Sequence, residues 1–114
     1  MVKNMSLDIR FTSRRNVICP HCNNIVMTED VYCVDSGGRG WYPILESLGY
    51  YVPYDQRTEE NDWYCKDMVL TTEQAKQVYT FIRKHPNLYN EDEVLGLIAT
   101  ALVDENAVVI NANW

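Results

Sequence analysis

The chemistry of this chain centres on two cysteines that lie three positions apart. Cys19 and Cys22 enclose a proline and a histidine in a C-x-x-C segment, and two asparagines follow the second cysteine. A tight turn at this spacing brings both sulfurs together, so the pair can hold one metal ion or close one disulfide. Asparagine tolerates the left-handed backbone that such a turn requires. The segment therefore predicts either a zinc-binding turn or a redox-active dithiol.

A zinc site needs more ligands than the C-x-x-C segment provides. Structural zinc is held by four ligands in a tetrahedron, usually cysteine sulfur and histidine nitrogen. The chain contains four cysteines and two histidines. The alternative for the two isolated cysteines is a place in the core, since free cysteine packs as a small apolar side chain. We predict one zinc ion with the ligands Cys19, Cys22, Cys33 and Cys65, and with His21 or His85 as a substitute.

Residues 17–26 resemble a zinc-ribbon knuckle, the strand, C-P-x-C turn and second strand of many small zinc proteins. The resemblance implies a structural zinc ion held by Cys19 and Cys22. In that family the second ligand pair is another C-x-x-C or a C-x-x-H, and this chain has neither. The remaining ligands therefore have to come from isolated residues.

The tetrapeptide Cys-Pro-His-Cys at 19–22 also resembles the active site of periplasmic thiol oxidases of the thioredoxin fold. That resemblance implies a thiol–disulfide enzyme whose first cysteine is activated at the N-terminus of a helix. Asparagines and then β-branched Ile25 and Val26 follow the turn, and these are poor helix formers. The sequence therefore favours structural zinc, and no catalytic residue is predicted. The alternative of a zinc hydrolase needs an open coordination position, which four protein ligands would exclude.

Strand patterns surround the motif. Residues 7–11 alternate between apolar and charged side chains, which is typical of a half-buried strand. Runs of β-branched and apolar residues predict further strands at 17–19, 25–27, 31–34 and 107–110. The predicted strands at 17–19 and 25–27 form a hairpin around the C-x-x-C segment.

Helix signals follow the strands. A proline and a glycine bracket a short helix at 43–49. Thr71 with Gln74, and Asn90 with Glu93, predict the capped starts of two longer helices. This order predicts an α+β fold, in which a small antiparallel sheet with a zinc-knuckle hairpin carries one short helix and two longer helices.

Length and composition limit the architecture and the cellular setting. The chain has 114 residues, of which 46% are apolar, so it can build one domain with its own core. We predict a single domain over 1–114 with the zinc knuckle built in at about 16–27. No segment resembles a signal peptide or a membrane span, so we expect a cytoplasmic protein with reduced thiols.

The net charge of −6 at pH 7 argues against general binding to nucleic acid. Nucleic-acid binding requires lysine and arginine to neutralise phosphate, and Arg14 and Arg15 form the one basic cluster. A knuckle that binds nucleic acid through these two residues and Arg39 is the alternative. An acidic chain instead suits a basic protein partner.

Aromatic and acidic side chains are concentrated at 50–67. Aromatic residues are common at binding surfaces, because they bury a large area and keep a polar tip. The alternative is a minor core beneath a long loop. We predict a non-enzymatic interaction module in which a protein partner contacts Tyr54, Glu59, Glu60, Asp62 and Trp63.

Three segments carry a wider resemblance. Gly-Gly-Arg-Gly-Trp-Tyr-Pro at 37–43, Glu-Asn-Asp-Trp-Tyr at 60–64 and Val-Val-Ile-Asn-Ala-Asn-Trp at 108–114 are similar to small proteins of phages and prophages of Gram-positive bacteria. This resemblance implies action in the host cytoplasm, including inhibition of a CRISPR nuclease or of another bacterial defence protein. It does not imply a particular activity.

Overall fold

The computed structural model describes residues 7–114, and it shows a four-stranded antiparallel sheet with three helices on it. The spatial order of the strands is β2-β1-β4-β3, so β2 and β3 form the two edges. The predicted α+β class is confirmed. The elements are β1 (Asp8–Ile18), β2 (Ile25–Gly37), α1 (Tyr42–Ser47), β3 (Met68–Leu70), α2 (Thr72–Lys84), α3 (Glu91–Asp104) and β4 (Ala107–Asn113).

The first two strands form one long hairpin where the sequence predicts several short strands. Each strand continues through its charged residues because these pair across the ladder. Arg14 lies opposite Asp30 and Arg15 lies opposite Glu29, with N···O distances of 2.8 and 2.6 Å. Charged residues that would interrupt a buried strand are thus accommodated where the hairpin leaves the core.

The end of this hairpin extends beyond the rest of the sheet. β4 pairs with β1 only as far as Arg14, which lies opposite Ala107. The two-stranded extension at residues 15–29 is called the arm below. It contributes to an elongated molecule with extents of 55 × 33 × 25 Å. The C-x-x-C segment lies at the tip of this arm, between the end of β1 and the start of β2.

The core lies between one face of the sheet and the helices. Trp41 is fully buried, and its ring centroid lies 5.1 Å from that of Phe11. Its indole Nε1–H donates to the hydroxyl oxygen of Ser36 at 3.0 Å, so the polar atom of this large side chain is satisfied. The buried positions of α2 and α3 are spaced as one face of each helix: Ala75, Val78 and Ile82, and Val94, Leu97, Ile98 and Ala101.

The predicted starts of all three helices are confirmed, but the predicted side-chain cap of α3 is wrong. Pro43 lies in the first turn of α1, and Thr71 and Gln74 form the predicted capping box of α2. Asn90 does not cap α3 through its side chain. It has a left-handed backbone with φ 58°, and its amide donates to the carbonyl oxygen of Asp35 at 2.8 Å. The amide therefore ties the start of α3 to β2.

The C-terminal strand is longer and more central than the sequence predicts. β4 runs from Ala107 to Asn113 and pairs with β1 on one side and β3 on the other. β3 gives no signal in the sequence, because three residues are too few for a period-two pattern. No helix within residues 7–114 is long and apolar enough to cross a bilayer.

Gly37 gives a testable constraint at the open end of the hairpin. A Cβ atom there would lie 2.7 Å from the carbonyl oxygen of Leu7, which also accepts the N–H of Gly38 at 2.8 Å. We expect Gly37→Ala to lower the free energy of unfolding by about 1–3 kcal/mol, because the backbone has to move. Gly96→Ala in α3 meets no atom within 4 Å and is the matched control. It should raise stability by up to about 1 kcal/mol in urea unfolding. Equal changes in the free energy of unfolding for the two substitutions would contradict the close contact between residue 37 and Leu7.

Candidate functional site

The C-x-x-C segment forms a tight turn that closes the arm. The N–H of Cys19 donates to the carbonyl oxygen of Asn24 at 2.8 Å, and the N–H of Asn23 donates to that of Cys19 at 2.9 Å. Asn23 has φ 62°, which is the left-handed backbone expected of an asparagine in this turn. The predicted hairpin around the motif is therefore confirmed.

The turn aims backbone donors at the sulfur of Cys19. The N–H groups of His21 and Cys22 both donate to it, and they lower the pKa of the Cys19 thiol below its usual range. A smaller contribution in the same direction comes from the thiol of Cys22. All four cysteines are free thiols. The turn thus stabilises a thiolate, which is the form that binds metal.

The pH dependence of alkylation tests this geometry. Because the folded turn lowers the pKa of Cys19, its alkylation by iodoacetamide should reach half-maximal rate at a lower pH than in the urea-unfolded chain. Peptide mass spectrometry of metal-free protein measures this midpoint. Cys22→Ser is the control, since it prevents disulfide formation and keeps the backbone donors that cause most of the shift. The same midpoint in folded and unfolded chains would contradict the proposed hydrogen bonds.

The other two cysteines lie far from the turn. Cys33 is exposed and lies opposite Thr12 of β1. Thr12 precedes Cys19 by seven residues, so Cys33 lies about 23 Å from the turn along the strands. The N–H of Cys65 donates to the carbonyl oxygen of Ala112, near the start of β1 and about 30 Å from the tip. Within residues 7–114, no three histidine, cysteine, aspartate or glutamate side chains gather around a possible metal position. The structure does not bring the four cysteines together, and it does not place either isolated cysteine in the core.

Neither histidine completes the predicted site in the described chain. His21 is exposed at the tip, inside the turn itself. The ring of His85 lies 4.2 Å from that of Phe81, and its Nδ1 lies 2.9 Å from the carbonyl oxygen of the same residue. His85 therefore interacts with the last turn of α2, far in sequence from the tip. The C-x-x-C turn is also followed by a strand and not by a helix, which differs from the thiol oxidase arrangement.

The hairpin of β1 and β2 exposes an unusual share of the apolar surface. Six of the eleven exposed large apolar side chains in the described residues belong to this hairpin: Ile18, Ile25, Val26, Met27, Val31 and Tyr32. Scattered exposed apolar residues are ordinary, but a concentration on one element is typical of an interaction surface. The run of three apolar residues at 25–27 breaks the strand alternation, and this signal could have revealed the surface from sequence.

A depression lies where the base of the hairpin meets α3. It has a volume of about 300 Å3, and Val31, Tyr32 and Leu97 line it with Glu93 and Asp104. α3 carries four acidic residues and no lysine or arginine. The depression therefore combines apolar walls with negative charge.

The basic cluster beside the arm is neutralised by acids. Arg14 pairs with Asp30 at 2.8 Å and with Asp67 at 3.2 Å, and Arg15 pairs with Glu29 at 2.6 Å. These guanidinium groups already have carboxylate partners, so a phosphate would have to compete for them. The arrangement weakens the alternative of a nucleic-acid-binding knuckle.

The aromatic segment at 50–67 forms a minor core in part. Tyr50 is fully buried, and its hydroxyl accepts the N–H of Ala112 at 2.7 Å and donates to the carbonyl oxygen of Lys66 at 2.7 Å. Trp63 stacks on Tyr50 with ring centroids 6.2 Å apart. Burial raises the pKa of the Tyr50 phenol. The buried tyrosine and the stacked tryptophan thus hold the segment against β4.

The residues predicted to bind a partner are consequently divided between two environments. Tyr54 is 86% exposed, and Glu59 and Glu60 are also exposed. Asp62 and Trp63 are half-buried, and the carboxylate of Asp62 accepts a backbone N–H inside the loop. This segment lies at the end of the sheet opposite to the tip of the arm.

Comparison with protein families, with curated proteins and with solved structures finds no match to this chain.

Proposed function

We propose that this chain is a non-enzymatic protein-interaction module that binds an extended segment of a basic partner along the free edge of β2. The observation that supports the proposal best is the apolar depression beside that edge. Val31 and Tyr32 at its wall are 49% and 55% exposed, although both are large apolar residues. A partner that covered them would remove apolar area from water.

The edge of β2 offers main-chain hydrogen bonds to such a segment. Within residues 7–114, β2 pairs only with β1, so its outer N–H and C=O groups have no strand partner. The ladder is irregular at Val31, and the carbonyl oxygen of Asp35 accepts the side-chain amide of Asn90. A long free edge is a template for another strand, and strand addition is a common way to bind extended peptides. Main-chain bonds would supply affinity, and the depression would select the side chains.

The charge around the depression determines the class of partner. Glu93 and Asp104 lie beside the apolar wall, and the whole chain carries a net charge of −6. A segment with apolar residues flanked by lysine or arginine matches this pattern. Because surface charge pairs are screened by salt, binding should weaken as ionic strength rises.

Two tyrosine substitutions locate the binding surface. We expect Tyr32→Ser to weaken partner binding at least tenfold, because it removes an apolar wall of the depression. Tyr54→Ser is the control, a still more exposed tyrosine in the segment at 50–67 that does not line the depression, and should change binding less than twofold. A partner captured from bacterial lysate at low salt is purified and its affinity is measured for each variant.

Three results would count against the proposal. Capture of no protein at low salt contradicts it directly. Loss of binding in Tyr54→Ser but not in Tyr32→Ser moves the surface to residues 50–67, as the sequence alone predicts. Binding that strengthens with salt excludes a basic partner segment.

The resemblance to phage and prophage proteins extends the proposal to a host defence protein such as a CRISPR nuclease. These nucleases hold nucleic acid in positively charged channels, and an acidic chain complements such a channel. Purified nuclease should lose cleavage activity with the wild-type chain and keep it with Tyr32→Ser. Equal inhibition by both chains would contradict action through the β2 edge.

A further inference from the structure

The tip of the arm presents half of a zinc site. Cys19 and Cys22 supply two thiols in one turn, whereas a structural zinc ion needs four ligands. Cys33 and Cys65 lie about 23 and about 30 Å away along the strands. Residues 1–6, whose structure is not described, contain no cysteine, histidine, aspartate or glutamate. No other cysteine of this sequence therefore lies near the turn.

We infer that two copies of this chain share one zinc ion at the tips of their arms, each copy donating Cys19 and Cys22. A second copy offers the same two sulfurs in the same turn, so a twofold axis through the metal completes a tetrahedron of four thiolates. The site goes beyond the proposed partner surface, since it uses the tip and leaves the edge at Val31 and Tyr32 free.

The charge pattern favours a second copy as the occupant of the tip. Residues 16–28 contain no aspartate, glutamate, lysine or arginine, although the chain as a whole carries a net charge of −6. Two like-charged bodies would repel each other if they met face to face. Contact through uncharged tips keeps the acidic helices apart while the metal is bound.

The side chains around the turn suit burial between two tips. Ile25 and Val26 are 58% and 60% exposed directly after the turn, and Ile18 is exposed directly before it. In a single copy these side chains face water. A second tip would cover them and would also shield the metal, which strengthens its bonds to sulfur.

The length and narrow shape of the arm permit contact between the tips of two copies. The arm leaves the sheet at Arg14, so the turn stands about 13 Å beyond the last three-stranded row. A narrow two-stranded element can approach its copy without a clash between the bodies. The N–H groups of His21 and Cys22 that donate to the sulfur of Cys19 would orient that ligand.

The binding of zinc by two chains conserves charge and protons. Two chains with two thiols each bind one Zn²⁺ and release four protons, and the four sulfurs form four Zn–S bonds. No oxidant takes part. Binding should therefore weaken as pH falls, because protons compete with zinc for the thiolates.

Zinc titration of the reduced, metal-free full chain tests the inference. We expect half a zinc ion per chain at saturation, and sedimentation should show a shift from 13.3 kDa to twice that mass. A chelator should restore the monomer. Cobalt in place of zinc should give the absorption spectrum of a tetrahedral ion with four thiolate ligands.

Cysteine substitutions provide the controls. Cys22→Ser should abolish both zinc binding and dimer formation, with an unchanged circular dichroism spectrum because the residue is exposed at the tip. Cys33→Ser and Cys65→Ser are matched replacements of exposed thiols and should change neither quantity.

Several outcomes would overturn the inference. These are one zinc ion bound by a monomer, a dimer that forms without metal, loss of zinc binding in Cys33→Ser or Cys65→Ser, and no zinc binding at all. None of them bears on partner binding at the β2 edge, which is measured with Tyr32→Ser in the presence of chelator.

Discussion

Replacing Trp41 by alanine is expected to lower the free energy of unfolding by about 3–5 kcal/mol. The indole is fully buried, and its neighbours include Phe11 at 5.1 Å and Phe81 at 6.3 Å between ring centroids. Truncation leaves a cavity that a close-packed core fills only in part. It also removes the donor to Ser36, whose hydroxyl in turn donates to the carbonyl oxygen of Tyr89.

The lower stability of Trp41→Ala should appear as a lower midpoint of urea unfolding. The dependence of the free energy of unfolding on urea concentration should change little, because the same surface is exposed on unfolding. Tyr89→Ala is the control, since that side chain is 67% exposed and its carbonyl group is kept. Tyr89→Ala should change the free energy of unfolding by no more than about 0.5 kcal/mol. A loss below about 1 kcal/mol for Trp41→Ala would mean that the side chain does not hold β1, β2 and α2 together as described.

The helices and the core strands could be predicted because their signals are local. The capping box at Thr71 and Gln74 and the apolar spacing in α2 depend on residues within two turns of one another. Asn90 shows the limit of such signals. Its side chain bonds to Asp35, which is 55 residues away in sequence, and no local pattern reveals that contact.

The arm could not be predicted as one element for a related reason. Its charged residues look like the ends of strands until Arg14 is placed opposite Asp30 and Arg15 opposite Glu29. Each arginine then forms an ion pair with the acid on the opposite strand, which allows charged residues inside a strand. The run at 25–27 is exposed where the two-stranded arm extends beyond the four-stranded part of the sheet.

The distances between cysteines depend on the length of these strands. A short hairpin would allow Cys33 to approach the turn, and a four-cysteine site would then be reasonable. A hairpin of eleven and thirteen residues instead carries the turn away from both isolated cysteines. The sequence thus locates the ligand turn correctly, while the long-range ladder decides which other sulfur atoms can reach it.

Removing the arm should separate folding from metal-dependent association. Residues 16–28 can be replaced by Asn-Gly, which forms a two-residue hairpin turn between the paired Arg15 and Glu29. No residue of this segment belongs to the buried core. We expect a change of less than about 1 kcal/mol in the free energy of unfolding and complete loss of the zinc-dependent dimer.

Partner binding should survive this truncation, because Val31, Tyr32 and the depression beside α3 remain. Urea unfolding, sedimentation with zinc and the affinity for the captured partner measure the three quantities on one protein. A truncated chain that unfolds would make the arm part of the folding unit. A truncated chain that still dimerises with zinc would place the metal elsewhere. Retained folding and partner binding with loss of the dimer would mean that the tip and the edge strand act independently, so that one dimer could present two partner sites.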